Sequence, residues 1–204
     1  PSARRKLKYF KLMNIDIAIK EGCQELKNNQ IRSALLDSEL LLSKVIKKDR
    51  KFIVLNPGKE LDQNEQDKFR DLILKRSRGK PLAYLTGTKS FWKYNFRVNE
   101  KVLIPRPDTE IIIEQVLKIY KNKDRLNFLE VGVGSGCIAL SILKEKKSFL
   151  GTGIDLSQDC IEICRYNAKK LGVSDRVKLL KSDVDNLIFC KYDLIVSNPP
   201  YIKK

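Results

Sequence analysis

From Asn127 onward the chain alternates short apolar runs with segments of helical length, and this alternation limits the fold more than any other feature. Phe128-Leu129-Glu130-Val131, Phe149–Ile154, Val177–Leu180 and Asp193–Val196 read as strands. Cys137–Leu143 and Gln158–Leu171 between them read as helices. Strands separated by crossover helices pair in parallel with right-handed connections. The expected fold class is therefore α/β, a doubly wound Rossmann-like sheet of which four strands are present. Ligands of such sheets bind outside the carboxyl ends of the strands.

The residues that follow each strand carry the chemistry. Glu130-Val131-Gly132-Val133-Gly134-Ser135-Gly136 ends the first strand and opens a helix. Its glycines permit a tight turn and close approach of backbone to a ligand. The spacing is neither the GxGxxG of dinucleotide sites nor a phosphate loop ending in GK[ST]. An acid just before the glycines, here Glu130, suits a cationic ligand with an amino or sulfonium group. Asp155 ends the second strand, where a carboxylate can accept both hydroxyls of a ribose. It could also cap the next helix, but Ser157 is available for that role. After the third strand, Asp183 could accept from an adenine amino group and Val184 could pack on the ring. Asp183 as a plain loop residue is the alternative.

Asn198-Pro199-Pro200-Tyr201 follows the fourth strand. A planar –NH2 group is a poor nucleophile because its lone pair is delocalised. A site that alkylates one must hold its N–H bonds with acceptors. The Asn198 carbonyl and the Pro199 backbone carbonyl can serve, the prolines stiffen the loop, and Tyr201 offers a flat face for stacking. Asn-Pro is also a common turn dipeptide. Taken with the three upstream motifs, the set resembles the S-adenosylmethionine-dependent methyltransferases. That resemblance implies a methyl carbon held between the glycine loop and the Asn-Pro-Pro-Tyr loop.

Composition excludes several classes. The 204 residues contain five cysteines (Cys23, Cys137, Cys160, Cys164, Cys190), no CxxC and no histidine. A zinc site is thus disfavoured, no metal is expected, and a reducing cytoplasm fits. Cys160 and Cys164 share a helix face and read as small buried residues. No apolar stretch approaches the ~20 residues of a membrane span. The net charge of +16 would attract phosphate, but 29 of the 41 basic residues are Lys spread along the chain. Compositional drift is the simpler account, and direct nucleic-acid binding is compatible rather than required.

The first third is different. Ile15 to Leu26, Ala34 to Ile46 with Ser33 as N-cap, and Leu61 to Leu74 read as three helices of a small bundle, with a turn at Asn56-Pro57-Gly58. Residues 13–81 form the expected helical docking domain, and 1–12, before the sole methionine Met13, an upstream extension. Residues 82–106 read as a linker, turn-like at Leu85–Thr88, with a hairpin in Ser90–Val98 turning about Asn95. Residues 107–204 form the expected catalytic domain, its first helix opened by Pro107 with Asp108 and Glu110 at the positive end.

Gly79-Lys80-Pro81-Leu82-Ala83-Tyr84-Leu85-Thr86-Gly87 and Val102-Leu103-Ile104-Pro105-Arg106-Pro107-Asp108-Thr109-Glu110 sharpen the resemblance. With Phe91, Phe96 and Val98, they look like the protein-(glutamine-N5) methyltransferases of peptide chain release factors, over residues from about 14 to 204. The resemblance implies that the helical domain engages the release factor, and that the glutamine of its Gly-Gly-Gln loop is methylated by S-adenosylmethionine. It implies a monomer in which Gly132, Val133, Gly134, Ser135 and Gly136 line the cofactor, with Glu130 before them. Asp155 would hold the ribose, Asp183 and Val184 would flank adenine, and the catalytic Asn198, Pro199, Pro200 and Tyr201 would hold the amide, with Asn198 also against the cofactor. Arg106 and Thr109 would shape the lid, Arg106 against the substrate, with a purely structural role as the alternative. Glu130-Val131 stand where Asp-Leu is usual and Val133 where Thr is usual. The family fold continues with three further strands, so a 204-residue piece is expected to be weakly active, with an open strand edge. A nucleic-acid amine methyltransferase and a non-catalytic binding module are the competing readings.

Overall fold

The computed structural model describes residues 13–187 and 191–199. The chain divides into two compact units, one ending at Thr86 and one beginning at Gly87. The expected extension 1–12, Cys190, Pro200 and Tyr201 lie outside the described residues.

The first unit is helical: α1 (Ile15–Asn28), α2 (Ala34–Ile46), α3 (Arg50–Leu55), α4 (Gln63–Ser77) and α5 (Leu82–Thr86). Short polar side chains open three of them. Asn14 accepts from Ile17 N at 2.9 Å and Asp49 from Phe52 N at 2.8 Å. Asp62 and Glu65 form a reciprocal capping box on α4, a pair that satisfies two orphan donors at once. Ser33 precedes α2 as expected, yet its side chain makes no capping bond. Two short helices escape the periodicity argument. α3 has six residues, and α5 replaces part of the turn expected at Leu85–Thr88; helices this short show less than two full apolar periods.

Ile15, Leu26, Leu41, Leu42, Ile53, Phe69 and Ile73 make the core of this unit. α1 and α4 approach closely at Gly22, where an added Cβ would lie 2.9 Å from Phe69 Cζ. Two buried carboxylates are paired across the bundle. Asp37 accepts from Arg76 Nε at 2.7 Å and Glu39 from Arg50 Nε at 2.6 Å.

The second unit holds the hairpin β1 (Thr88–Phe91) and β2 (Tyr94–Arg97), then α6 (Glu110–Ile119), β3 (Asn127–Val131), α7 (Cys137–Glu145), β4 (Leu150–Asp155), α8 (Gln158–Leu171), β5 (Val177–Lys181) and β6 (Leu194–Ser197). The four later strands form one parallel sheet of order β5-β4-β3-β6. This is the expected doubly wound arrangement, with the direction of winding reversing between β3 and β6. α7 packs Ile138, Leu140, Ile142 and Leu143 into the core with Phe128 and Phe149. Cys160 and Cys164 are buried on α8, as their spacing implies.

The hairpin turns at Trp92-Lys93, not about Asn95, because Phe91 pairs with Tyr94 and Asn95 lies in the ladder opposite Ser90. Trp92 takes a φ of 55°, uncommon for a bulky residue. Anchors hold it there: Trp92 N donates to Glu110 Oε1 at 2.7 Å, and Trp92 Nε1 donates to Glu145 Oε1 at 2.9 Å. Lys93 and Tyr94 donate to the same Glu145 carboxylate. Burial works to raise the Glu145 carboxyl, but the bonds from Lys93, Trp92 and Tyr94 outweigh it and hold the group below the usual range. A short 3-10 turn, Pro107–Thr109, precedes α6 where sequence places the helix start. Among the described residues no helix is long and apolar enough to cross a membrane.

Candidate active site

The point where winding reverses in a parallel sheet leaves a crevice at the carboxyl ends of the flanking strands. Here Val131 of β3 pairs with Ser197 of β6, so Gly132 and Asn198 leave the sheet at adjacent positions. Ser197 Oγ ties the two ends together by donating to Val131 O at 3.0 Å. On the other side Val131 pairs with Ile154, which delivers Asp155 next to the same loop.

The glycine loop is held from below. Gly132 N and Val133 N both donate to Ile154 O at 2.9 Å, and Gly136 N donates to Val133 O at 2.7 Å. Gly132, Gly134 and Gly136 have φ of 75°, 52° and 79°, a region that side chains with a Cβ rarely enter. At Gly136 the restriction is double, because an added Cβ would lie 2.5 Å from Cys164 Sγ. Asp155 reinforces the turn: its Oδ2 accepts from Gly134 N at 3.0 Å and its Oδ1 from Ser157 N at 2.9 Å. Ser157 in turn caps α8. A carboxylate has about four acceptor positions, so these two bonds leave Asp155 able to accept from a diol.

A cleft of about 580 Å³ opens over this arrangement. Gly132, Gly134, Asp155, Asp183, Val184, Asn198 and Pro199 line it, together with the exposed apolar side chains of Leu103 and Leu156. The volume lies within the ordinary range for small-molecule sites. Glu130, Val133, Ser135, Arg106 and Thr109 line a smaller cavity of about 50 Å³ behind the loop, which also touches Gly132, Gly134 and Asn198. Arg106 is itself exposed. Gly136 is the N-cap of α7.

Three of these residues sit deeper than their positions in the sequence imply. Val133 is 2% exposed and packs against Gly153, so it offers a cleft ligand backbone rather than side chain. Ser135 is likewise buried. Glu130 is enclosed beneath the loop, its Oε2 accepting from Ala139 N in the first turn of α7 at 2.8 Å. Burial pushes its carboxyl up to about 8; the Ala139 bond opposes this and the nearby Asp155 adds to it. Burial, followed by the Glu130 charge, pushes the Cys137 thiol up to about 12, which leaves it an inert side chain at neutral pH.

Asn167 is the residue that sequence reading missed. It is fully enclosed on α8. Its Nδ2 donates to Ser135 O at 2.8 Å and to Arg97 O at 3.0 Å, and its Oδ1 accepts from Arg97 N at 2.7 Å. One carboxamide thereby fixes the glycine loop to the end of the hairpin. Its signal was present: it falls on the stripe Cys160, Cys164, Ala168 that α8 buries, where a polar side chain needs partners.

Comparison with known proteins agrees with both units. Residues 18–87 match the PrmC N-terminal domain and residues 108–204 the methyltransferase small domain. The chain is 36% identical over 195 residues to the release factor glutamine methyltransferase of Clostridium acetobutylicum, covering 94% of this chain and 68% of that one. The chain belongs to the release factor glutamine methyltransferase family. The Clostridium botulinum member is 40% identical over 187 residues, covering 90% of this chain and 66% of that protein. The Fusobacterium nucleatum member is 36% identical over 200 residues, covering 97% of this chain and 56% of its own length. The chain thus spans between about half and two thirds of the family members it matches.

Proposed function

We propose that the protein transfers a methyl group from S-adenosylmethionine to the side-chain amide nitrogen of a glutamine in a peptide chain release factor. The observation that carries this reading is the single 580 Å³ cleft on which Gly132, Gly134, Asp155, Asp183, Val184 and Asn198 converge. Its residues suit an adenosine with a cationic tail. Gly132 and Gly134 admit a ligand close to the backbone, Asp155 accepts from the ribose, and Asp183 with Val184 flanks the base. Glu130, enclosed beneath the loop, ties the end of β3 to the first turn of α7 through Ala139 N.

Bound there, S-adenosylmethionine would supply an electrophilic methyl to the amide nitrogen, its sulfur left as the thioether of S-adenosylhomocysteine and the amide proton passing to water. Asn198 Oδ1 and the Pro199 carbonyl accept from the amide N–H bonds, so that the nitrogen faces the methyl carbon. The contribution of these residues is orientation and exclusion of water. Tyr201 completes the clamp by stacking, and Arg106 with Thr109 closes the pocket. The helical residues 13–81 engage the body of the release factor, the catalytic part begins near 107, and the reaction takes place in the cytoplasm.

The +16 charge favours a second reading, methylation of an exocyclic amine in RNA or DNA. Tritiated methyl transfer by the full-length protein separates the two. Label is expected on purified release factor and not on its Gln→Ala loop variant. Label on RNA with none on the factor overturns the proposal.

A further inference from the structure

We propose that Thr109 is a positioning residue for methyl transfer, its hydroxyl setting the placement of the Asn198 carboxamide; this rests on the reading of Asn198 as the acceptor of the substrate amide. Thr109 ends the 3-10 turn Pro107–Thr109 and passes into α6 with helical φ and ψ of −69° and −17°. A residue already in helical conformation does not make a capping bond to its own first turn. Thr109 makes no such bond. Its Oγ1 instead accepts from Asn198 Nδ2 at 3.0 Å, from a residue 89 positions away. Thr109 is only 8% exposed and lines the cavity behind the glycine loop.

The bond has a chemical consequence. A carboxamide has two ends of nearly equal shape and opposite polarity. With Nδ2 on Thr109 the other end of Asn198 is Oδ1, the acceptor that an amide N–H requires; because a hydroxyl can also donate, the bond fixes where the carboxamide lies rather than which end is which. Turned through 180°, the side chain would set N–H against N–H. The loop after β6 carries Asn198, and the bond fixes that loop to the segment Arg106–Thr109 at the start of α6. A displacement of the acceptor of even about 1 Å is enough to cost methyl transfer much of its rate.

The test compares Thr109→Val, which keeps the shape and removes the hydroxyl, with Thr109→Ser, which keeps the hydroxyl. In the full-length protein, single-turnover methylation of release factor at saturating S-adenosylmethionine should fall roughly 10- to 100-fold in Thr109→Val. Cofactor affinity should stay unchanged, and Thr109→Ser should recover most of the rate. Equal loss in both variants, or a parallel loss of cofactor affinity, makes Thr109 a packing residue and overturns the inference. A second readout is independent of the substrate: the side-chain NH2 resonance of Asn198, assigned by its disappearance in Asn198→Ala. It should shift and lose exchange protection in Thr109→Val and persist in Thr109→Ser. An unmoved resonance overturns the inference even if the release factor proves to be the wrong substrate. A shifted one supports it in that same case, so the two proposals fail separately.

Discussion

The two units bury polar groups for different ends. In the helical unit the enclosed carboxylates Asp37 and Glu39 are neutralised by Arg76 and Arg50 from other helices. In the sheet unit Glu130, Asp155 and Asn167 bond to backbone amides and carbonyls of the first turn of α7, the glycine loop and the end of the hairpin. Asn198 bonds to Thr109. The first arrangement fastens helix to helix. The second fixes loops in position at the end of a sheet, where a ligand can use the order. Removing a polar group should therefore cost stability alone in the helical unit, and stability together with cofactor affinity or turnover in the sheet unit.

The largest effect is expected at Glu130. Its carboxyl is raised on folding to about 8, so the folded state favours the neutral form. The stability it confers is full below the ordinary carboxylate pKa and is lost progressively as pH rises towards 8. The loss is bounded by roughly 5 kcal/mol across that window. Urea denaturation at pH 5 and pH 8 should show wild type falling relative to Glu130→Gln, which does not titrate. Parallel profiles would mean that the carboxylate is not enclosed as described.

Next in size is Asp37→Ala, which strands Arg76 inside the helical unit. It should lower unfolding free energy by about 3 kcal/mol and leave S-adenosylmethionine affinity in the remaining folded protein untouched, as calorimetry can check. Asn167→Ala should cost about 1–3 kcal/mol, since it leaves Arg97 and Ser135 backbone groups without their partner. Here titration of S-adenosylmethionine should weaken as well, because the glycine loop loses its tether. If Asn167→Ala lost stability and kept full affinity, the contrast between the units would fail.

Much of this was legible in the sequence because it is periodic or terminal. The strands show as apolar runs, and most predicted site residues end or follow one, so the topology alone delivers Gly132, Asp155, Asp183 and Asn198 to one edge. What was hidden depends on contacts distant in sequence. Asn167 reads as an ordinary helical residue until α8 is packed against the hairpin, and the bond from Asn198 to Thr109 spans two separate motifs. The hairpin turn was misplaced because Asn95 is a good turn former, whereas Trp92 turns only under the hold of Glu110 and Glu145. Glu130 was read as facing a ligand, and the structure encloses it beneath the loop. Sequence position gives the strand end and not the depth.

The central claim is that the cleft divides its work, with the loops after β3, β4 and β5 holding cofactor and Asn198 holding the amide. Asn198→Ala in the full-length protein tests it directly, with turnover on release factor and S-adenosylmethionine affinity measured on the same preparation. The account predicts turnover reduced by roughly 100-fold or more, with cofactor affinity nearly unchanged. A loss of affinity as large as the loss of turnover would contradict it and assign Asn198 to the cofactor.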